Sequence, residues 1–415
     1  MPEAEALRAA DSPRALELAR LIAAAPHRLP FLAGVAAVML SMAWWAWSLA
    51  AARFGTAAPA APIPAGWGHA ISMQYHVLAL FVFGFLLTVM PRWTSQPLFG
   101  ARHYVPAAGL LLLGYVATLL GLSGSATLLH LGAVATLGAW LVALVLLGRV
   151  VWRDAGAEYH ALSAYLALAL GGVGLVLYAR YLHGGDARFM FAAIKFGTFA
   201  FLLPMYVTVG HRMIPFFTSC VVRGYAIHRP PAWLAAFWLL VLAHLMLELS
   251  HAYAWLWLAD VPLAAMTAWI WLRWQPLRAR ASGLLAVLYL AFAWLPLSFA
   301  LYALQSGWFA ATGDFVLGRA PVHALAIGYF GSMLVAMVTR VTQGHSGRPL
   351  QMGGVAWFAF ATIQLVALLR IAAEFAADAP LWQFVAALGW LAAFAPWAIR
   401  SAAIYLAPRV DGKPG

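Results

Sequence analysis

The sequence predicts an all-α polytopic membrane protein with about twelve transmembrane helices. Of the 415 residues, 65% are hydrophobic and only 9% are charged, whereas ordinary soluble domains carry about 25% charged residues. The apolar residues form separate segments of about 20 residues, the length that an α-helix needs to cross a bilayer. Short polar turns with single charges separate these segments, so a soluble domain of any size is not expected.

The chain divides into a charged start, a long apolar body and a short tail. Residues 1–28 are amphipathic without a long apolar core, which is typical of a cytoplasmic surface helix and not of a signal peptide. Residues 29–406 form the predicted transmembrane domain, and residues 407–415 a cytoplasmic tail. The predicted spans are 29–52, 68–90, 104–122, 126–148, 160–182, 189–209, 232–251, 253–272, 282–305, 321–340, 353–373 and 381–405.

The basic residues indicate how the chain is oriented. With twelve spans, most arginines fall on the side of the N-terminus, and the positive-inside rule then places both termini in the cytoplasm. The net charge of +12 is scattered singly, without the clustered basic face of a nucleic-acid-binding protein. Cys220 is the single cysteine, which excludes an intrachain disulfide and covalent haem attachment through two cysteines. Any haem would therefore be held noncovalently, with histidine as the expected ligand.

Three helices end in similar proline-containing basic loops. These loops, at 90–98, 210–217 and 342–350, follow predicted helices 2, 6 and 10 and hint at three units of four helices. Helix 10 also carries small residues at every fourth position, which would let a neighbouring backbone or a flat cofactor approach closely. These small residues are Ala324, Gly328, Ser332 and Ala336.

Histidines inside the spans are the first candidates for a cofactor site, because polar side chains in a bilayer are costly and usually face the protein interior. Neutral imidazole is a good ligand for haem iron and copper, although such histidines can also hydrogen-bond between helices. His69 and His76 are seven residues apart, about 10 Å along a helix, so they would not share one metal. The candidate ligands in the outer half are His69, His76, His244, His251 and His323.

Helix 7 carries a second candidate group. His244, Glu248 and His251 fall at offsets of zero, four and seven, within about 60° of each other on one helix face. They are candidate metal ligands, with Glu248 alternatively a proton relay. Glu248 also lies at a depth similar to Lys195 on helix 6, and a structural ion pair between them is the alternative.

The cytoplasmic side has its own candidates. His211 and Arg212 end helix 6, and Arg340 with His345 ends helix 10. The histidines are candidate haem ligands, and the arginines could bind haem propionates or lipid phosphates through paired hydrogen bonds. The alternative is that the arginines only set the topology.

Three patches resemble the NnrS family of bacterial membrane proteins: residues 84–98, 210–218 and 323–349. The resemblance implies an inner-membrane protein that binds haem b and, as a second cofactor, copper, and that protects cells against nitric oxide in connection with denitrification. Nitric oxide would be a small-molecule ligand. The family pattern in helix 2 is close to HAHEM, where this chain has His69-Ala70-Ile71-Ser72-Met73. A ligand lost from that pattern could be replaced by His76.

Two other classes remain open at this stage. One is a secondary transporter of a small anion, with Lys195, Arg340 and Glu248 lining the path. The other is a cofactor-free membrane protein that assists a denitrification enzyme through protein contacts. An enzymatic role as a redox protein acting on nitric oxide or nitrosylated iron is also open, without an assignable catalytic cycle. Finding a bound cofactor would reject the cofactor-free class and weaken the case for a transporter.

Overall fold

The structure is a computed structural model that describes residues 16–412, and within that range it contains helices and no strand. A short helix at 16–22 precedes twelve longer ones. The predicted surface helix over 1–28 therefore lies mostly outside the described residues. The helices are α1 Arg28–Phe54, α2 Ala65–Trp93, α3 Ala101–Gly121, α4 Ala126–Asp154, α5 Tyr159–Gly184, α6 Ala187–Val221, α7 Pro231–Leu249, α8 Trp257–Arg273, α9 Gly283–Thr312, α10 Ala320–His345, α11 Gly354–Phe375 and α12 Ala379–Tyr405.

The predicted fold class is confirmed. Eleven of the described helices are long and apolar enough to cross a membrane. The remaining one, α8, has 17 residues, which is the lower limit for a span of about 17–25 residues. It follows α7 after a break that includes a short 3₁₀ turn at Tyr253–Trp255. The protein is therefore a multi-pass membrane protein.

The helices run alternately between two ends of the bundle. Arg28, at the start of α1, donates hydrogen bonds to the backbone carbonyls of Tyr405 and Ala407 at the end of α12. We call this the terminal end. At the other end, which we call the distal end, Arg53 pairs with Asp378 at 2.7 Å and joins the end of α1 to the start of α12.

Three helices form the interior of the bundle. In the central apolar stretches of α2, α6 and α10, 83%, 67% and 78% of the residues are buried, against 39–61% in the other eight spans. A helix that is apolar on all sides is expected inside a bundle, surrounded by other helices. The more exposed helices therefore face the lipid.

The helix contacts repeat with a period of four. The helix before each inner helix packs against it, giving the pairs α1–α2, α5–α6 and α9–α10. The two helices after each inner helix pack on one another as α3–α4, α7–α8 and α11–α12, and the contacts α4–α5, α8–α9 and α12–α1 close the ring. The three four-helix units suggested by the loop sequences are thus present in the packing.

Each inner helix also contains a π-helical segment in its distal half. The segments are Met73–Val77 in α2, Phe196–Leu202 in α6 and Ala324–Gly331 in α10. No other helix in the described range contains one. A π segment widens the helix locally and is often found at functional sites.

The small-residue stripe on α10 holds an aromatic side chain. A Cβ atom added at Gly328 would lie 2.4 Å from the ring of Trp294 on α9, so only glycine allows this contact. The indole Nε1 of Trp294 donates to Gln364 at 2.6 Å, and Gln364 donates to the Ser332 hydroxyl at 2.6 Å. The flat group against this part of the stripe is therefore a tryptophan of the chain itself.

Candidate functional site

A chain of four ionisable side chains crosses the distal half of the bundle. Lys195 Nζ on α6 lies 2.8 Å from Glu248 Oε2 on α7, and Glu248 Oε1 lies 3.7 Å from His244 Nε2, one turn earlier. His244 Nδ1 lies 2.7 Å from Asp260 Oδ1 on α8. We call these four residues the distal polar chain. It joins three helices through side chains that are largely removed from solvent.

Charges alternate along the distal polar chain. With His244 protonated, Lys195 and His244 supply two positive charges and Glu248 and Asp260 two negative ones. His244 and Asp260 are 0% exposed, and buried charges are tolerated only when each has such a partner. The ion pair between Lys195 and Glu248, which was the alternative for Glu248, is present. Asp260 was not identified from the sequence, although it is an isolated carboxylate within an apolar segment.

The sequence predicted that three residues share one face of α7, but only His244 and Glu248 lie on this helix. The helix ends at Leu249, and His251 follows in a left-handed backbone conformation with φ of 55°. Nδ1 of its exposed ring lies within hydrogen-bond distance, 2.8 Å, of the Tyr253 hydroxyl oxygen. Placing His251 on a common face with His244 and Glu248 was therefore wrong, because that placement required the helix to continue for another turn.

A second histidine group lies at the distal ends of α2 and α10. The ring of His69 stacks on Trp45 of α1, with centroids 4.6 Å apart and an interplanar angle of 15°. His323 lies within electrostatic range of His69 and of two arginines, Arg370 and Arg319. The structure thus places His69 and His323, from two inner helices, within electrostatic range of each other.

The hydrogen bonding of these rings indicates which nitrogens are free. His323 Nδ1 lies 2.9 Å from the Arg319 carbonyl oxygen. A carbonyl only accepts, so Nδ1 of His323 carries the hydrogen and the neutral ring keeps its lone pair on Nε2. Nδ1 of His69 is buried without a hydrogen-bond partner among the described residues. Both rings can therefore offer a nitrogen to a ligand.

His76 lies apart from this pair, inside the π segment of α2. Its side chain is 1% exposed, its ring centroid is 5.9 Å from that of Tyr115, and its Nδ1 lacks a hydrogen-bond partner within the described chain. The π segment also means that the α-helical spacing assumed between His69 and His76 does not apply. His76 remains a candidate ligand at a separate position.

A second polar chain lies in the terminal half. Arg212 on α6 lies 3.0 Å from Glu158 Oε2, and Glu158 Oε1 lies 2.7 Å from His160 Nδ1 at the start of α5. His160 Nε2 lies 3.0 Å from His211 Nδ1 on α6. We call these four residues the terminal polar chain. Two of its members, Glu158 and His160, were missed from the sequence, although a carboxylate two residues before a histidine at a helix start is a recognisable pattern.

The surroundings fix the members of the terminal polar chain. His211 is 0% exposed and stacks on Trp233, with centroids 5.1 Å apart and an interplanar angle of 6°. The guanidinium of Arg212 lies 4.6 Å from the ring centroid of Trp93. Burial raises the pKa of Glu158, but the hydrogen bond from His160 and the charge of Arg212 outweigh it, and the pKa lies below its usual value. Glu158 is therefore ionised at neutral pH.

The other terminal-end candidates lie elsewhere. His345 contacts His27, with ring centroids 4.5 Å apart, and Arg92 and Arg409 lie within electrostatic range of both. Burial and then these positive neighbours lower the pKa of His27 well below its usual value, so His27 is neutral. Arg340 lies over the ring of Phe217 at 3.8 Å. The structure thus places His345 beside His27 and leaves His211 in the terminal polar chain.

The described side chains do not form a metal site with three or more histidine, cysteine or carboxylate ligands. Within residues 16–412 there is no group of three or more histidine, cysteine, aspartate or glutamate side chains placed to hold a metal ion. His244 faces a carboxylate on each side, whereas the exposed ring of His251 pairs with Tyr253. The predicted ligands His244, Glu248 and His251 therefore do not form one site.

The fold and these contacts define a polytopic, all-helical membrane protein with a chain of ionisable side chains at each end of the inner helix α6. The family model described as NnrS protein matches residues 21–409, nearly the whole chain. The chain therefore belongs to the NnrS family, which confirms the resemblance found in the sequence. No curated protein matches it.

Proposed function

We propose that this protein binds haem b at the distal end of its inner helices and acts in tolerance to nitric oxide and nitrosative stress associated with denitrification. The observation that supports this best is the pair His69 and His323. These rings come from two inner helices, lie within electrostatic range of each other and have ring nitrogens free for a ligand.

The residues around this pair fit the rest of a haem. Propionate groups need cationic partners, and Arg370, which also pairs with Glu374, and Arg319 lie within electrostatic range of both histidines. Trp45 holds the ring of His69 by stacking. The carbonyl of Arg319 fixes the tautomer of His323, as a hydrogen-bond partner commonly does for a ligating histidine. Bound haem would supply iron that can coordinate nitric oxide.

Copper fits less well than haem. The described side chains offer no three-ligand site of histidine, cysteine or carboxylate, so copper enters the proposal only as a Cu(I) ion with fewer such ligands. His76, buried with a free Nδ1, is the candidate that such a site would use. His211 and His345 stay predictions as ligands.

The proposed location is the bacterial inner membrane, with the terminal end in the cytoplasm. The arginine-rich loops at the terminal end support this orientation through the positive-inside rule. The alternative of an anion transporter is less favoured, because Glu248 already pairs with Lys195 and Arg340 already lies over Phe217. A cofactor-free accessory role would need the histidine pair to have no ligand.

The test is the haem content and absorbance spectrum of the purified protein, with metal analysis on the same sample. We expect a b-type spectrum in the reduced protein that changes when nitric oxide is added. His69→Ala and His323→Ala should each lower the haem content or change the spectrum, because each removes one of the proposed ligands.

His130→Ala is the matched control. His130 also lies at the distal end, but it is exposed and its Nδ1 is held by the Ala126 carbonyl at 2.8 Å. This variant should keep the wild-type haem content. A wild-type spectrum in both the His69 and His323 variants would reject the assigned pair, and absence of haem from protein expressed with ample haem would reject the function.

A further inference from the structure

A groove of about 500 Å³ lies between α4 and α5 near the terminal end of the bundle. Its lining includes apolar side chains of α4, two arginines of the same helix and one tyrosine of α5. Its volume is in the range of sites that hold small organic molecules. The groove shares no residue with either polar chain or with the proposed haem ligands, so it is a separate feature of the molecule.

The side of α4 that lines the groove changes from apolar to basic toward the terminal end. Leu141, Val145, Arg149 and Arg153 follow one another at intervals of four residues, which places them on one broad side of the helix. Together they span about 18 Å along the helix axis, and one leaflet of the hydrocarbon core is about 15 Å thick. The same order of groups, an apolar chain and then a charged head, is found in a phospholipid of that leaflet.

The two arginines of the groove lack an acidic partner. Arg149 and Arg153 are exposed, and neither forms an ion pair or a hydrogen bond within residues 16–412. They lie one helical turn apart, where like charges repel each other and an anion between them is favoured. Asp154, the acidic residue that follows, accepts the backbone N–H of Glu158 at 2.7 Å. In the described chain, the groove therefore presents two positive charges next to an apolar surface.

Gly148 keeps the groove open toward α5. A Cβ atom added at Gly148 would lie 2.9 Å from the hydroxyl oxygen of Tyr165, so a side chain at this position would occupy the space beside the ring. The hydroxyl of Tyr165 can donate to a phosphate or ester oxygen. Trp152, which also lines the groove, is strongly exposed, and tryptophan is enriched at the level of lipid headgroups.

We propose that this groove binds an anionic phospholipid of the surrounding membrane. The phosphate contacts the guanidinium groups of Arg149 and Arg153, which suit phosphate oxygens because each offers several N–H donors. An acyl chain lies along Leu141 and Val145. Basic pockets between transmembrane helices are known to hold anionic headgroups. A phospholipid uses both parts of the groove, whereas a soluble phosphate would use only the basic end.

The position of the groove gives such a lipid a structural role. The contact between α4 and α5 is one of the three that close the ring of four-helix units, so a lipid in the groove contacts the first unit and the second. A ligand that binds only the folded protein raises its stability. The anionic lipid should therefore raise the melting temperature of the purified protein.

The experiment is native mass spectrometry of the full-length protein in detergent with added phosphatidylglycerol or with phosphatidylethanolamine of the same acyl chains. We expect wild-type protein to retain the anionic lipid in preference to the zwitterionic one. The double variant Arg149→Gln, Arg153→Gln should lower the affinity for phosphatidylglycerol about tenfold or more, because it removes the charged donors to the phosphate. Gly148→Leu keeps both charges but fills the groove, and it should also lower this affinity.

Two matched controls accompany these variants. Arg102→Gln, Arg280→Gln removes the same charge from two other exposed arginines of the terminal end that form no ion pair within the described residues. Gly109→Leu adds the same side chain as Gly148→Leu, but at a position on α3 with open space around it. Both controls should retain phosphatidylglycerol as the wild type does, and circular dichroism shows that each variant is folded.

Three results would overturn the proposal. One is equal retention of the two lipids by the wild type, which tests the proposal even if a variant fails to fold. The second is an equal loss in the Arg102 and Arg280 double control, because the attraction would then be general to the basic surface. The third is unchanged binding in folded Gly148→Leu protein together with displacement of the lipid by glycerol 3-phosphate, which would assign the arginines to a soluble phosphate.

Discussion

The distal and terminal polar chains use similar residues in different ways. Each contains histidine, a carboxylate and one cationic side chain of α6, which is Lys195 in one chain and Arg212 in the other. In the distal chain every member faces a group that can carry the opposite charge, and its end residue, Asp260, is fully buried. The terminal chain begins at a partly exposed carboxylate and ends at a free imidazole nitrogen. The first arrangement pairs its buried ionisable groups across three helices, although Nε2 of His244 and Oδ2 of Asp260 lack a hydrogen-bond partner in the described chain, whereas the second leaves an imidazole at its buried end with no acidic neighbour.

Replacing the cation of each chain should give the largest difference between them. Lys195→Met leaves Glu248, 4% exposed, with only the longer 3.7 Å contact to His244, and breaking a buried pair in this way costs about 3–5 kcal/mol. Arg212→Met should cost less, because Glu158 keeps His160 and contact with water. Unfolding in mixed detergent micelles measures both.

The double variant Lys195→Met, Glu248→Met is the control for that comparison. Replacing both partners by apolar side chains should recover most of the loss, because no unpaired charge remains. Equal losses for Lys195→Met and Arg212→Met would contradict the distinction between the chains.

Replacing each of the two buried histidines, His244 and His211, by glutamine should give the second-largest difference in the free energy of unfolding. His244→Gln removes the group between two carboxylates and leaves Asp260 unpaired, with an expected cost of about 3 kcal/mol. His211→Gln removes a ring with one hydrogen bond, worth about 0.5–1.5 kcal/mol, together with its stacking on Trp233. The free energies of unfolding should therefore differ by about 2 kcal/mol. A larger loss for the His211 variant would mean that its ring has a structural partner on Nε2.

The pH dependence that Glu158 gives to stability should show the smallest effect. Because the pKa of Glu158 is lower in the folded protein, its ionised form stabilises the fold above the ordinary glutamate pKa of 4.5. The stability advantage of the wild type over Glu158→Gln, about 1–2 kcal/mol, should be complete at neutral pH. It should disappear as the pH falls through the folded pKa. Unfolding curves of both proteins between pH 3 and 7 measure this, and an advantage that persists at pH 3 would contradict it.

Hydropathy and charge placement were sufficient to predict the fold. A span needs a long apolar segment whatever its neighbours are, so the segments and their alternation can be read along the chain. Depth in the membrane can be read in the same way, which is why the pairing of Lys195 with Glu248 was recognised as an alternative. The proximity of His69 to His323 depends on how two helices far apart in the sequence are placed in the bundle, and the sequence indicates only that both residues lie near the same face of the membrane.

The missed features share a physical cause. Asp260 pairs with His244 and Glu158 pairs with Arg212, each on another helix, and nothing in their own segments indicates those two partners. His251 was misplaced because a helix end in a seven-residue connection, Ser250 to Leu256, has no strong sequence signal. The π segments are hidden for a different reason. They lie in helices buried on all sides, where an extra residue in a turn leaves no change in an already continuous apolar pattern.

The three π segments separate each inner helix into two parts that can be oriented independently. An inserted residue in an α-helix turns everything beyond it by about 100°. In α6 the segment Phe196–Leu202 lies between Lys195 and His211, so the directions of these two side chains are not tied to one another by regular helix geometry. The protein can thus adjust one end of an inner helix by local changes there, while the other end keeps its alignment with its neighbours.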